Sequence, residues 1–474
     1  MVTFFVTYSY VHQVVLLREK NCGQLWEIAF LIFNACSSIK QPSCSTRITS
    51  MRTEHCKVAR RGKISFVVFI SVYNMDVSKS TGYKDFVWAV ELNHLGLGLI
   101  GLWPTTNNAV KRRIELDIRV GFILILMIFI SGVPSVCALV RVWGDLELMI
   151  DNLRITLPLF VVALKLVIMR WKQTVLSSIL NMMAEDWIVS KLSAERNIMM
   201  KYARTARLFA IYTYVVTVSS FALAIIPPCA GLPFRYLTNL TDRNKPLPIQ
   251  TYYFYDTDKS PQFELTFLIQ ALTILLALFV YLSVDGFLGL VILHVCGQLE
   301  NLRHRLANLV SGKDFDRALS GNITIHIRII RFAYNIEDIF TFMMLGLILY
   351  FAIIFCLYGF QSLIMITEGK INDAGILRVS YIVFVVVILF TQMFLYCYVG
   401  ELITEKCEEI YRALCDLKWY KLESSQAKNL IILMIRIQKP LRLTAGRIVP
   451  LTITTFCSFV KTSVGYISFL LAHA

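Results

Sequence analysis

From Val120 to Val140 the chain carries no charged side chain. A helix of about 20 apolar residues is what crosses the hydrocarbon core of a bilayer. A helix is also the default way to pair every backbone N–H and C=O where there is no water. Six further stretches have the same character, so the expected spans cover residues 120–140, 152–170, 208–227, 264–295, 339–363, 379–402 and 447–472. The composition agrees: 56% hydrophobic residues, 17% charged residues and a mean hydropathy of +0.61 over 474 residues exceed what a soluble chain carries. The expected fold class is an all-α membrane protein with seven transmembrane helices.

Each span has its own marks. Lys165 interrupts the second, and Pro227 and Pro228 are expected to close the third. The fourth passes Asp285 and is expected to continue toward Val295 as a long helix leaving the bilayer. The seventh is divided by Lys461 into uncharged stretches Ile448–Val460 and Thr462–Leu471. Charge inside a bilayer is costly and normally faces a partner or water. Asp285 is therefore read as a structural or subunit-packing residue, and Lys461 as snorkelling toward a water-filled vestibule rather than lining a cation pore.

Lysines and arginines set the orientation, because short loops rich in them stay cytoplasmic. The loops after spans two, four and six hold seven, six and eight, against one, four and one in the alternate loops. This places the N-terminus in the cytoplasm and, with seven spans, the C-terminus outside. The net charge of +15 thus reads as a topology signal rather than a nucleic-acid platform. The twelve cysteines show no CxxC pair and no zinc spacing. Most sit in or near spans as small buried thiols, while Cys229 falls in a predicted external loop.

Seven helices with the N-terminus inside is the reverse of a rhodopsin-like receptor, and that family's triplet at the end of span three and Asn-Pro-x-x-Tyr turn are missing. The segment Tyr396–Leu422, with Gly400, Glu401, Tyr411, Trp419 and Tyr420, resembles the insect odorant receptor family. Gln438–Leu451, with Pro440, Ala445, Gly446 and Pro450, resembles that family's approach to span seven, and Ser283–Leu306 its long fourth helix. The likeness runs over about four hundred residues from Met75 onward. The gustatory signature of the sister family, Thr-Tyr, five residues, Gln-Phe, is absent from TTFCSFVKTSVGYISFL.

The resemblance implies a ligand-specific subunit of a heterotetrameric odorant-gated cation channel, paired with the family's co-receptor around a pore formed by the last helix. It implies a plasma-membrane location in the dendrites of olfactory sensory neurons, a small volatile hydrophobic ligand and contact with membrane lipid. It aligns Phe469 with the hydrophobic gate, flanked by Ser468 and Leu470, with His473 at a second constriction. It places the odorant cavity in the outer half of the bundle, near Tyr214, Thr217 and Phe221 on span three and Tyr381 and Phe384 on span six. Core packing accounts for any one of those aromatics at least as well. Trp419 and Tyr420 join Asp285 as expected subunit-packing residues. No cofactor and no metal site is expected, and no nucleophile or phosphate loop points to an enzyme. A G-protein-coupled chemoreceptor, a gustatory receptor and a secondary transporter are the alternatives; the transporter lacks the internal repeat it needs.

Residues 1–74 do not fit the family pattern and read as an atypical extension, with Met75 the expected natural start; residues 75–474 form the seven-helix unit. Two glycosylation sequons occur. Asn239 lies in the predicted second external loop, and Asn322 in a cytoplasmic loop where it stays bare. The orientation is checked by epitope tags: one after Ala474 should be reached by antibody on intact cells, and one at the N-terminus only after permeabilisation.

Overall fold

A computed structural model describes residues 81–104, 110–189, 192–229, 247–309, 314–367 and 373–473. Residues 1–74, and Asn239, lie outside the described residues. The helices in chain order are α1 (Thr81–Leu99), α2 (Val110–Ile125), α3 (Val133–Arg141), α4 (Leu146–Trp171), α5 (Gln173–Val189) and α6 (Ser193–Cys229). They continue with α7 (Gln262–Ala307), α8 (Phe315–Thr367), α9 (Asp373–Cys415), α10 (Ser424–Ile437) and α11 (Ile453–His473). A two-stranded antiparallel hairpin, β1 (Thr444–Ala445) and β2 (Val449–Pro450), precedes α11.

Among the described residues six runs are long and apolar enough to cross a membrane: Arg113–Arg141, Glu147–Trp171, Ser193–Cys229, Gln262–Ala307, Phe315–Ser362 and Val379–Lys421. Helix α11, 21 residues with Lys461 its only Lys, Arg, Asp or Glu, supplies the seventh. Large apolar side chains such as Ile118, Phe129, Leu268 and Phe342 are more than half exposed on the bundle's outside, as lipid contact requires. Helix α7 is the central element, packed along α6, α9, α8 and α4, and from Val284 to Gly297 every one of its residues is buried.

Several boundaries differ from the sequence expectation. Helix α6 does not close before Pro227 and Pro228 but carries both in its last turn and ends at Cys229; proline is tolerated where membrane helices re-pair the freed groups. Cys229 is therefore an exposed helix terminus rather than a loop residue. Helix α8 begins at Phe315, well before residue 339. The Asn322 sequon accordingly sits on a helix, 7% exposed, instead of in a loop. The basic stretches counted as loops are largely helical, in α5, the first turns of α6 and α8, the last turns of α7 and α9, and α10.

The first span is broken by a π-helical stretch, Leu126–Gly132. Pro134 explains the break: it has no N–H, so the carbonyl of Ile130, four residues earlier, loses its helical donor. The Tyr253 hydroxyl donates to that carbonyl at 3.0 Å. Tyr252 N donates to Pro134 O at 3.0 Å. Residues 247–251 are buried, and Gln270 ties them to α7 by accepting from Ile249 N at 3.0 Å and donating to Thr251 Oγ1 at 2.9 Å. Burial pushes the Tyr253 phenol above its usual pKa.

Outside the apolar zone, charge pairs join the helices. Arg305 grips Glu195 with two bonds, Lys406 reaches Glu300 at 2.8 Å, and Asp186 accepts from Arg328 at 2.7 Å while facing His294. The hairpin docks on α8 through Thr341, whose carbonyl accepts from Gly446 N at 2.8 Å and whose hydroxyl accepts from Arg447 N at 3.1 Å. Gly446 and Arg447 both take left-handed backbone, φ 62° and 61°, which turns the chain tightly enough to pair β1 with β2.

Helix α11 starts against α9. Glu401 Oε2 accepts from Ile453 N at 3.3 Å, and Thr452 Oγ1 caps Thr455 N at 3.2 Å. Gly400 lies so close to Leu451 that a Cβ would fall on the Leu451 carbonyl oxygen. Gly-to-Ala in an open helix stabilises by up to about 1 kcal/mol, but forced overlap costs about 1–3 kcal/mol. Gly400→Ala should therefore lower the thermal melting point of the detergent-solubilised protein. Gly321→Ala, on α8 with nothing within 4 Å of the added carbon, should leave it unchanged or raise it.

Candidate functional site

Helix α4 carries Lys165 into the middle of the bundle, where its side chain is 1% exposed. The chain answers it with Asp285 on α7: Nζ to Oδ1 is 2.7 Å. The second carboxylate oxygen accepts from Gln392 Nε2 of α9 at 2.9 Å. Gln392 also donates to the Tyr396 hydroxyl one turn along, at 3.2 Å, and Lys165 reaches the same hydroxyl at 3.4 Å. The ammonium lies 3.5 Å from the centre of the Tyr281 ring, one turn before Asp285. An isolated buried charge is prohibitive, and this group of five supplies both the counter-charge and the donors that make burial tolerable.

Asp285, Gln392 and Tyr396 form one side of a cavity of about 40 Å³ between α6, α7 and α9. Its other walls include Phe209, Val216, Leu282, Leu288, Ile388 and Leu395. Phe209 lies against Gly289, where a Cβ would enter its ring, so the glycine gives the aromatic its place. From Tyr396 a run of aromatic contacts leads to the last helix. Phe351 lies 6.3 Å from Tyr396, Phe355 6.2 Å from Phe351, and Phe459 of α11 5.8 Å from Phe355, with Phe390 stacked on Phe355 at 4.3 Å. A second contact, Phe394 to Phe456 at 5.5 Å, joins α9 to α11 directly.

The residues expected at the odorant site do not line this cavity. Tyr214 donates to Leu92 O at 2.7 Å, toward α1, and Thr217 bonds back to Thr213 O at 2.9 Å. Phe221 and Phe384 are half-buried. The Tyr381 ring lies 5.7 Å from the Arg154 guanidinium. Arg154 is itself closed off by Asp151 at 2.9 Å, Gln361 at 3.2 Å and the Tyr358 ring. None of these five lines the cavity beside Asp285. Spans three and six, on which those residues lie, both line the cavity.

Asp285, expected among subunit-packing residues, is buried inside its own chain, 4% exposed, and is engaged by Lys165 and Gln392. Trp419 and Tyr420, 43% and 67% exposed, stand edge to face on the surface between α9 and α10. Ser468, Phe469, Leu470 and His473 fall in the last turns of α11, and their side chains lie outside the described ones. Among the described residues no group of His, Cys, Asp and Glu is arranged to hold a metal.

Residues 145–464 match the model of the 7tm Odorant receptor family. The chain belongs to that family. Odorant receptor 13a of Drosophila melanogaster is 22% identical to this odorant receptor over 401 residues, covering 79% of this chain and 93% of that one. The solved insect olfactory receptor OR5 from Machilis hrabei has the same fold, with a TM-score of 0.70 at 16% identity over 82% of this chain and 98% of the other. The same receptor in complex with eugenol matches with a TM-score of 0.67, at 16% identity and the same coverage. The expectation of a seven-helix odorant receptor from Tyr396–Leu422, Gln438–Leu451 and Ser283–Leu306 thus holds.

What the sequence expectation missed is the pairing of Lys165 with Asp285. Both stood out as charges within apolar stretches, and their mutual cost was the available signal. Breaking a buried pair by removing one partner costs about 3–5 kcal/mol, whereas replacing both by apolar groups is often neutral. Lys165→Met and Asp285→Leu should each strongly reduce the melting point and surface abundance of the receptor. The double variant should recover a large part of both losses, as read by fluorescence-detected chromatography.

Proposed function

We propose that this odorant receptor is the ligand-specific subunit of a heteromeric odorant-gated cation channel in the plasma membrane of olfactory sensory dendrites. The observation that carries the reading is the cavity between α6, α7 and α9, whose Tyr396 wall connects by aromatic packing to α11. A volatile ligand gains affinity mainly by burying apolar surface, and a mostly apolar cavity suits that. A ligand that enlarges the cavity favours a conformation with α9 displaced, and the contacts of Phe355, Phe390 and Phe394 carry that displacement to α11. The eugenol complex of the Machilis hrabei receptor supports the same ligand class, a small and largely apolar molecule.

In this reading four α11 helices surround the pore. Phe469, between Ser468 and Leu470, closes it by dewetting, with His473 forming a second constriction. Outward displacement of the helices admits water and then cations. Tyr214, Thr217, Phe221, Tyr381 and Phe384 are proposed to shape the outer part of the ligand path, and exposed Trp419 and Tyr420 to pack against a neighbouring co-receptor subunit. Asn239 is proposed as the glycosylated site. Co-expression with an insect odorant co-receptor should give odorant-evoked cation currents that persist when G-protein signalling is blocked. Odorant responses that vanish with that block would refute the channel reading.

A further inference from the structure

We propose that the cavity beside Asp285 is a hydroxyl-recognition subsite, selecting neutral, mainly apolar ligands that carry one alcohol or phenol group. This rests on the odorant-receptor reading and deepens it, since it names the ligand chemistry rather than the fact of binding. The lining is mostly apolar, with Tyr212 and Thr213 as polar residues on the α6 wall and Asp285, Gln392 and Tyr396 on α7 and α9. Asp285, Gln392 and Tyr396 face a space otherwise bounded by side chains such as Phe209, Val216, Leu288 and Ile388. Lys165 donates to Asp285 Oδ1 at 2.7 Å and Gln392 to Oδ2 at 2.9 Å, and the Tyr396 hydroxyl is hydrogen-bonded to the same carboxylate. A carboxylate oxygen accommodates two, so the wall retains capacity to accept a ligand O–H. The Gln392 amide gives its two hydrogens to Asp285 and Tyr396, which leaves its carboxamide oxygen as a second acceptor for a ligand O–H.

Charge decides which donor fits. Lys165 already balances Asp285, so an ammonium ligand would meet the lysine, and a carboxylate ligand would meet the aspartate. A neutral hydroxyl meets neither penalty. Size agrees: about 40 Å³ matches roughly three waters at 10–15 Å³ each, room for a hydroxyl and its first carbon. The hydrocarbon remainder runs along the apolar wall formed by Phe209 and Ile388. The subsite is distinct from the outer region of Tyr381, since Gln392 lies about three turns further along α9.

A hydrogen bond to a charged acceptor separates a ligand from its donor-free analogue by about ten- to a hundredfold. The test uses the full-length receptor with an insect odorant co-receptor and matched pairs that differ only in the donor. These are octanol and methyl octyl ether, eugenol and methyl eugenol, and phenylethanol and its methyl ether, within a broad odorant panel. In each active pair the hydroxyl compound should be on the order of tenfold more potent. Gln392→Met, at preserved surface abundance, should erase most of that gap. If that variant fails to reach the surface, the Lys165→Met, Asp285→Leu double variant should erase the gap instead. Ethers equal to their alcohols in the wild type, or a gap unchanged in a surface-expressed variant, overturn the subsite while leaving the channel reading intact. No current from any compound in the panel refutes the channel reading and the subsite together.

Discussion

A charge that cannot escape to water organises this receptor. The Lys165 side chain is 1% exposed within the bundle, so the bundle must bring Asp285 to it. That single requirement fixes the rotation of α4 against α7. Gln392 and Tyr396 then hold the rotation of α9 against both. In a membrane interior apolar packing discriminates weakly between helix faces, because lipid is as apolar as leucine. A buried ion pair with hydrogen-bonded neighbours discriminates strongly, and it does so at the point where the cavity forms.

The last helix is held differently. Its first turn is fastened by Glu401, Thr452 and the close approach at Gly400, and the hairpin before it is pinned to Thr341 of α8. Beyond that, its described contacts include the rings of Phe355 and Phe394. Hydrogen bonds fix the base of α11, while flat aromatic surfaces at Phe456 and Phe459, which slide at little cost compared with broken polar bonds, guide its first two turns. A helix anchored at its base and met there by sliding rings is suited to pivot.

How much of this was legible in the residues depends on the scale of the signal. The spans announced themselves because bilayer thickness imposes a length, and 120–140 or 379–402 fall inside the observed helices. The continuation of the fourth span past Asp285 was legible too. The early start of α8 at Phe315 was not, since residues 315–338 are polar enough to read as loop, and only packing against α5 and its neighbours makes them a helix. The π-helical stretch followed from Pro134 only once Tyr253 was seen to reach Ile130. The aromatic pattern pointed to spans three and six, both of which line the cavity, without pointing to Asp285 or Gln392. Tyr214 and Tyr381 each had a partner far away in sequence, Leu92 and Arg154, that no local pattern reveals.

Helices α7, α8 and α9 run unbroken for 46, 53 and 43 residues, so each is about 65–80 Å long against a hydrocarbon core of about 30 Å. Such rods behave as rulers. One residue inserted between Asp285 and Glu300 would turn everything beyond it by about 100°, and the Glu300 carboxylate would no longer face Lys406. The inner and outer halves of the receptor therefore share a common phase. Their faces can diversify by substitution, but length change is confined to the connections, where rotation is not transmitted.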